Sequence, residues 1–173
     1  EVAPEPPQDS VLAEQASRLN EILRDCNIKD EFRPVHAAAF LLGTWFEKVS
    51  VNPEVVLEQI NINVSRALKN AGKPDLNTSL RVDVSNTELA DRAWEIVGIL
   101  QTLGVRSLMH EHDYLGQLYE TFFRYTGGNT IGQYFTPRHM VRFICDLVGI
   151  RPSDTVFDPA CGTGGFLIGA LNR

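Results

Sequence analysis

Apolar residues recur at every third or fourth position along most of this chain, a spacing that places them on one face of an α-helix. The first clear stripe consists of Leu12, Ala16, Leu19 and Leu23. Ser10, just before this stripe, is a good helix N-cap. Residues 1–9 contain three prolines. We therefore expect a disordered lead-in over residues 1–9 and a helix that starts at Ser10.

Three further helices are predicted in the N-terminal half. Pro34 opens a helix that is apolar on most sides, and Asn52 starts another that ends at Gly72. The capping box Ser-Asn-Thr-Glu at residues 85–88 starts the third. Their apolar positions are Phe40, Leu41, Trp45 and Phe46; Val56, Ile60, Val64 and Leu68; and Leu89, Ala93, Ile96, Val97, Leu100 and Leu103. We expect both Trp45 and Trp94 in the core of this helical bundle.

A fifth helix is predicted at residues 107–125, and a glycine-rich hinge follows at residues 127–129. The His-Glu-His-Asp run at residues 110–113 does not indicate a metal site, since residues two apart on a helix point in different directions. The hinge divides the chain into a helical domain at residues 10–126 and a second domain at residues 127–173.

The second domain is predicted to contain a helix, a short strand and a glycine-rich turn. Thr136 suits the N-cap of the helix, Pro137 suits its first turn, and Gly149 ends it. The Val-Phe pair at residues 156–157 predicts a strand that leads into Asp-Pro-Ala-Cys-Gly-Thr-Gly-Gly-Phe at residues 158–166. A strand followed by a tight turn and a helix is the arrangement in which α/β sheets bind ligands.

The glycines of this turn match neither common phosphate-binding fingerprint. Starting from Gly162, the dinucleotide pattern finds Gly164 but then Leu167 where a third glycine is required, and no lysine follows as a P-loop would need. Gly162, Gly164 and Gly165 let the backbone turn tightly and let a ligand approach the main chain. An ordinary glycine-rich connection between a strand and a helix stays open as the alternative.

The turn and the segment upstream of it together indicate one protein family more specifically than either segment does alone. Three features in this order resemble the methylation subunits of type I restriction-modification systems. They are Gln-Tyr-Phe-Thr-Pro-Arg at residues 133–138, one helix, and the Asp-Pro-Ala-Cys-Gly-Thr-Gly-Gly-Phe run. Those subunits are adenine-N6 DNA methyltransferases that use S-adenosylmethionine. Asp-Tyr-Leu-Gly-Gln-Leu-Tyr-Glu at residues 113–120 is similar to the same family. The resemblance covers roughly residues 110–173.

The resemblance implies two groups of cofactor-binding residues. In the family, the first segment lies over the cofactor and the glycine turn wraps its methionine part. The implied contacts are Gln133, Tyr134, Phe135, Thr136, Pro137 and Arg138, together with Asp158, Ala160, Gly162, Thr163, Gly164 and Gly165. The Asp158 carboxylate suits the cofactor's ammonium, and the aromatic ring of Tyr134 or Phe135 suits its adenine or sulfonium.

No catalytic residue is assignable within this chain. The family places an Asn/Asp/Ser-Pro-Pro-aromatic motif after its fourth strand, where the motif holds the flipped base. Neither Asn-Pro at residues 52–53 nor Asp-Pro at residues 158–159 continues with a second proline. We therefore expect the catalytic motif beyond Arg173.

The fold class that follows is mostly α. A βαβ unit takes about 30 residues or more, so a strand at residues 155–158 would have no neighbour within this chain. We expect an N-terminal helical bundle followed by the truncated start of a Rossmann-like α/β methyltransferase domain. By itself such a portion should be inactive and should bind S-adenosylmethionine poorly.

Net charge and cysteine content limit the kinds of binding partner and the cellular compartment that we expect. The formal net charge is −6, so the chain alone should bind DNA weakly. In the family, a specificity subunit reads double-stranded DNA and a restriction subunit cleaves it, and both are implied partners. Three widely spaced cysteines without a C-x-x-C pair indicate a reducing cytoplasm and argue against zinc. No apolar run is long enough to suggest a membrane partner.

Two other functions stay open from the sequence. One is a non-catalytic helical docking module that keeps only the cofactor turn. The other is a methyltransferase of the same fold that acts on glutamine or RNA, because the motif that selects the substrate is not among these residues.

Overall fold

The chain folds into two compact units, Glu1–Gly128 and Asn129–Arg173. A computed structural model describes residues 9–50, 52–103, 136–162 and 164–173. Within these ranges every regular element is a helix and no strand occurs. The prediction of a mostly α protein is confirmed for this part of the chain.

Four α-helices and one 3-10 helix make up the described part of the first unit. They are α1 (Asp9–Asp25), α2 (Arg33–Phe46), α3 (Val56–Asn70), the 3-10 helix (Pro74–Asn77) and α4 (Thr87–Thr102). Pro34 lies in the first turn of α2, as predicted. α1 begins one residue before Ser10, so Ser10 is not its N-cap. α3 begins later than predicted because the Asn52 side chain accepts a hydrogen bond from the Glu54 N–H at 3.1 Å, which closes a turn ahead of the helix.

These helices share one apolar core. α2 packs against α3, and α1, α2 and α4 contact one another. Every member of the apolar stripes predicted for α1, α3 and α4 is buried. Burying a leucine or isoleucine side chain contributes about 1.5–3 kcal/mol, so each of these buried positions stabilises the unit.

α2 and α3 lie close together at Gly43. A Cβ at this position would lie 3.0 Å from Cδ1 of Ile60, so the glycine allows the two helices to approach. The buried Asn63 of α3 donates a hydrogen bond to the Gly43 carbonyl at 3.0 Å. The contact therefore combines close backbone packing with a satisfied polar group in the core.

The two tryptophans of the first unit have different environments. Trp45 is partly buried and packs against the core. Trp94 is 55% exposed, so its predicted core position is wrong. The buried face of α4 follows the spacing of Leu89, Ala93 and Ile96, and Trp94, one position after Ala93, falls outside that face.

The predicted capping box of α4 is also corrected. The N-cap is Asn86, whose side-chain oxygen accepts a hydrogen bond from the Leu89 N–H at 2.9 Å. Ser85 instead donates its hydroxyl to Asp83 at 2.7 Å. The Glu88 carboxylate accepts from the Asn27 side chain at 2.6 Å. Asparagine is as good a cap as serine, and here the neighbouring Asp83 binds Ser85 and a tertiary contact with Asn27 binds Glu88.

The second unit contains α5 (Arg138–Val148) and α6 (Gly165–Leu171), which pack against each other. Pro137 occupies the N-cap position of α5 and no side chain caps the helix, so the predicted role of Thr136 is wrong. Gly149 ends α5 in the left-handed conformation (φ +67°), as predicted.

The strand predicted at residues 155–158 is not formed, and this segment has no regular structure. A strand needs a neighbour that pairs with its backbone N–H and C=O groups, and none is present in the described ranges. The side chains of Val156 and Phe157 are 42% and 84% exposed. The start of a Rossmann-like sheet is therefore not observed here.

Candidate functional site

The turn before α6 is shaped by two glycines in the left-handed conformation. Gly162 has φ +55° and Gly164 has φ +82°, values that strain any residue with a Cβ. The N–H of Gly164 donates to the carbonyl of Cys161 at 2.8 Å, which closes the turn directly before the helix. The prediction of a tight glycine turn that enters a helix at Gly165 is confirmed.

Asp158 stands at the start of this turn. Its side-chain oxygen Oδ1 accepts a hydrogen bond from the N–H of Ala160 at 3.0 Å, and the residue is half-buried. The bond orients the carboxylate with respect to the turn. A carboxylate can accept several hydrogen bonds, so Asp158 can also accept from a cationic group placed beside the turn.

Among the described residues, the space beside the two left-handed glycines is open. A Cβ built at Gly162 or at Gly164 would meet no atom of these residues within 4 Å. The main chain of the turn is thus accessible from that side, which is the condition for a ligand to approach the backbone.

α5 and α6 meet closely at Gly169. A Cβ built at this glycine would lie 2.6 Å from Cγ1 of Val141 and 3.3 Å from Sγ of Cys145. Both of these α5 side chains are buried. After α6, the Arg173 guanidinium pairs with Asp146 of α5 and makes a second link between the two parts of the unit. An isolated glycine inside the apolar pattern of α6 is the sequence signal for this close contact, which was not predicted above.

The structure describes eight of the twelve predicted cofactor-binding residues. The residues outside the described ranges are Gln133, Tyr134, Phe135 and Thr163. Exposed residues are Thr136, Pro137, Ala160 and Gly162; half-buried ones are Asp158, Gly164 and Gly165. Arg138 is the first residue of α5. Both predicted groups therefore precede a helix, and those two helices pack against each other within one compact unit.

The remaining titratable groups favour structural roles. Within the described ranges no cluster of three or more His, Cys, Asp or Glu side chains could hold a metal ion, and residues 110–113 lie outside those ranges. All three cysteines are free; Cys26 and Cys145 are buried and Cys161 is exposed. Burial raises the pKa of the Cys26 thiol.

No described helix is long and apolar enough to cross a membrane.

An ion-pair network joins α1 to α4 in the first unit. Arg92 donates to Glu95 at 2.8 Å and to Asp25 of α1 at 3.1 Å, and Arg18 of α1 donates to Glu95 at 3.0 Å. The hydrogen bond from Arg92 holds the pKa of Glu95 below its ordinary value. The network therefore stabilises the packing of two helices in the first unit.

Residues 110–173 match the family of N-6 DNA methylases. A type II restriction enzyme and methyltransferase, RM.BcgI of Heyndrickxia coagulans, is 51% identical over 65 residues, which are 36% of this chain and 10% of that protein. The EcoEI type I methylase subunit of Escherichia coli is 27% identical over 157 residues, 84% of this chain and 31% of that protein.

A further relative is the methylase subunit of the type I enzyme EcoKI of Escherichia coli strain K12, which is 43% identical over 61 residues, 34% of this chain and 12% of that protein. No solved structure gives a significant match. The matched residues thus span between 10% and 31% of the length of these relatives. These relatives include proteins of both type I and type II restriction systems.

Proposed function

Residues 110–173 belong to the N-6 DNA methylase family, and from this premise we propose that the chain is part of an adenine-N6 DNA methyltransferase of a type I restriction-modification system. The methyl group passes from the sulfonium of S-adenosylmethionine to the exocyclic amine of adenine in DNA. The observation that carries the proposal is the turn that begins at Asp158, in which a half-buried carboxylate precedes two left-handed glycines that no other described residue crowds.

S-adenosylmethionine is the proposed cofactor, and its contacts are the two groups of residues named from the sequence. They are Gln133, Tyr134, Phe135, Thr136, Pro137, Arg138, Asp158, Ala160, Gly162, Thr163, Gly164 and Gly165. Asp158 would accept from the ammonium of the methionine part, because its carboxylate is already oriented by the N–H of Ala160. Gly162 and Gly164 would let that part lie against the main chain.

Within this reaction, the residues of the chain position the methyl donor. Holding two reactants in a suitable geometry removes much of the entropic barrier to the transfer. The Asn/Asp/Ser-Pro-Pro-aromatic motif that holds the target base is absent from residues 1–173, and we assign no catalytic residue among them.

We also propose that residues 127–173 open a Rossmann-like α/β domain, with the helical domain at residues 10–126 before it. Exposed apolar side chains in the second unit support this proposal: Phe143, Leu147, Val148, Phe157 and Leu171 are all more than half exposed. A parallel sheet covered by helices buries side chains of this kind. Residues 155–158 would then form a strand once a neighbouring strand pairs with them.

The proposed partners are the specificity and restriction subunits of the same system. Double-stranded DNA would be reached through that complex, because the chain has a net charge of −6 and phosphate binding needs positive charge. A cytoplasmic location is proposed as well, which the three unpaired cysteines support.

The test is a pair of matched substitutions in the full-length protein. Asp158→Asn keeps an oxygen that can accept from the Ala160 N–H but removes the charge that meets the cofactor's ammonium. Asp154→Asn removes one charge from an exposed residue of the same unit, where the carboxylate accepts the Arg151 N–H at 2.9 Å. Calorimetry with S-adenosylmethionine should show a Kd raised on the order of tenfold or more for the first variant. The second should bind like the wild type.

A transfer assay with radiolabelled S-adenosylmethionine and double-stranded DNA, followed by nucleoside analysis, identifies the product. N6-methyladenine is the expected product. A wild-type protein that binds no S-adenosylmethionine would overturn the proposal in favour of a helical docking module. Methyl transfer to a protein or to RNA instead of DNA would point to another methyltransferase on the same fold.

A further inference from the structure

We propose that Gly169 is a positioning residue, which sets the distance between the two groups of cofactor-binding residues through the contact of α5 with α6. The inference rests on the proposed function, since it assumes that residues 133–138 and 158–165 hold one ligand. It assigns a role to a glycine that belongs to neither group.

The first support is the absence of space at the contact. A Cβ built at Gly169 would lie 2.6 Å from Cγ1 of Val141, a distance that real Cβ contacts essentially never show. It would also lie 3.3 Å from Sγ of Cys145. Val141 and Cys145 are 6% and 3% exposed, so neither side chain can move into solvent without losing its packing.

The second support is the place of the contact along each helix. Gly169 lies four residues after Gly165, about one helical turn beyond the glycine turn. Val141 lies three residues after Arg138, also within about one turn of the upstream segment. α6 has only seven residues and α5 only eleven, so neither helix has room to bend between the contact and the segment in front of it. A displacement at Gly169 should therefore pass to both groups.

The test is a steric rescue in the full-length protein. Gly169→Ala adds the Cβ that meets Val141, and the helices must separate by a fraction of an ångström to about 1 Å. The Kd for S-adenosylmethionine, measured by calorimetry, should then rise about tenfold, since errors of this size in ligand geometry have effects of at least that order. Gly169→Ala combined with Val141→Ala removes the Cγ1 atom and should bring the Kd back to within about threefold of the wild type.

Gly98→Ala is the matched control. Gly98 also lies inside a helix, α4, but a Cβ there meets no atom of the described residues within 4 Å, and it lies in the other unit. This substitution should leave the Kd unchanged. Thermal unfolding followed by circular dichroism checks that each variant is folded. If Gly169→Ala alone does not fold, the double variant is compared with Val141→Ala, and equal Kd values are then expected because the alanine at 169 fills the space that Val141 vacates.

The outcomes separate this inference from the proposed function. An unchanged Kd for folded Gly169→Ala would overturn the positioning role and leave the proposed function intact. A Kd that stays raised in the double variant would also overturn it, because the cause would not be the contact with Val141. A wild-type protein without affinity for S-adenosylmethionine would remove the proposed function, and the positioning role with it.

Discussion

The side-chain amide of Asn61 forms both backbone hydrogen bonds of Val82. Its Nδ2 donates to the Val82 carbonyl and its Oδ1 accepts from the Val82 N–H, each at 2.9 Å. Val82 lies in an irregular segment between the 3-10 helix and α4, and its side chain is buried in the core. The amide of Asn61 thus replaces the pairing that a strand would provide, and it attaches this segment to α3.

Replacing Asn61 should cost more stability than its partial exposure suggests. Asn61→Ala removes both hydrogen bonds and leaves the N–H and C=O of Val82 to find new partners. We expect a loss of about 2 kcal/mol in the free energy of unfolding, measured by urea denaturation. Asn70→Ala, at an exposed position of the same helix, makes the same gain in helix propensity and should change stability by no more than about 0.5 kcal/mol. Equal effects of the two substitutions would show that the amide of Asn61 does not anchor Val82.

Substitutions at the start of α4 test whether Asn86, the observed N-cap, or Ser85, the predicted one, stabilises the helix. Asn86→Ala should lower the free energy of unfolding by about 1 kcal/mol, because the N–H of Leu89 loses its acceptor. Asn86 also donates to the carbonyl of Cys26 at 3.2 Å, so the loss includes a link to the end of α1. Ser85→Ala should have a smaller effect, since the described hydrogen bonds of Ser85 go to the exposed Asp83. A larger effect at Ser85 would restore the capping box read from the sequence.

The stability of the fold should depend on pH through the ionisation of Glu95. Its folded-state pKa lies below the ordinary 4.5 because Arg92 donates a hydrogen bond to the carboxylate. A group with a lowered pKa stabilises the fold above its unfolded pKa, and this contribution is lost as the pH falls through the folded value. We therefore expect Glu95→Gln to lower the free energy of unfolding by about 1 kcal/mol at neutral pH. The variant should also lose less stability than the wild type when the pH falls from neutral to well below 4.5.

Urea denaturation at several pH values measures this difference. The matched control is Glu14→Gln at an exposed position of α1, which should alter stability by no more than about 0.5 kcal/mol. A Glu95→Gln variant that loses as much stability in acid as the wild type would show that the Arg92–Glu95 pair contributes little.

A comparison of Gly164 with Gly72, two left-handed glycines next to different helices, separates the effect of backbone strain from the effect on ligand binding. Gly164 has φ +82° in the proposed cofactor turn, and Gly72 has φ +69° after α3. Alanine at either site should cost about 1–2 kcal/mol of conformational strain. Gly164→Ala should also weaken the binding of S-adenosylmethionine in calorimetry, whereas Gly72→Ala should lower only the stability of the first unit. Equal Kd values for the two variants would argue against a cofactor at this turn.

Much of the local structure could be predicted from the sequence because it depends on spacing alone. The apolar stripes of α1, α3 and α4 repeat with the helical period, and all of their members are buried. Gly149, Gly162 and Gly164 have positive φ angles, and glycine is the residue that adopts them without strain. The resemblance to N-6 DNA methylases rests on the same kind of local information, namely short runs of residues in a given order.

Other features were decided only by which groups meet in space. Trp94 is exposed because the face of α4 that packs on the core ends beside it, and Asn86 is the cap because Asp83 and Asn27 bind Ser85 and Glu88. Residues 155–158 have strand-like composition but no neighbour to pair with in the described ranges, and a strand is stable only when it is paired. The sequence by itself therefore determined the described α-helices and the glycine turn, while the helix predicted at residues 107–125 lies outside the described residues. The tertiary structure decided the caps, the exposed surfaces and the close contact of α5 with α6.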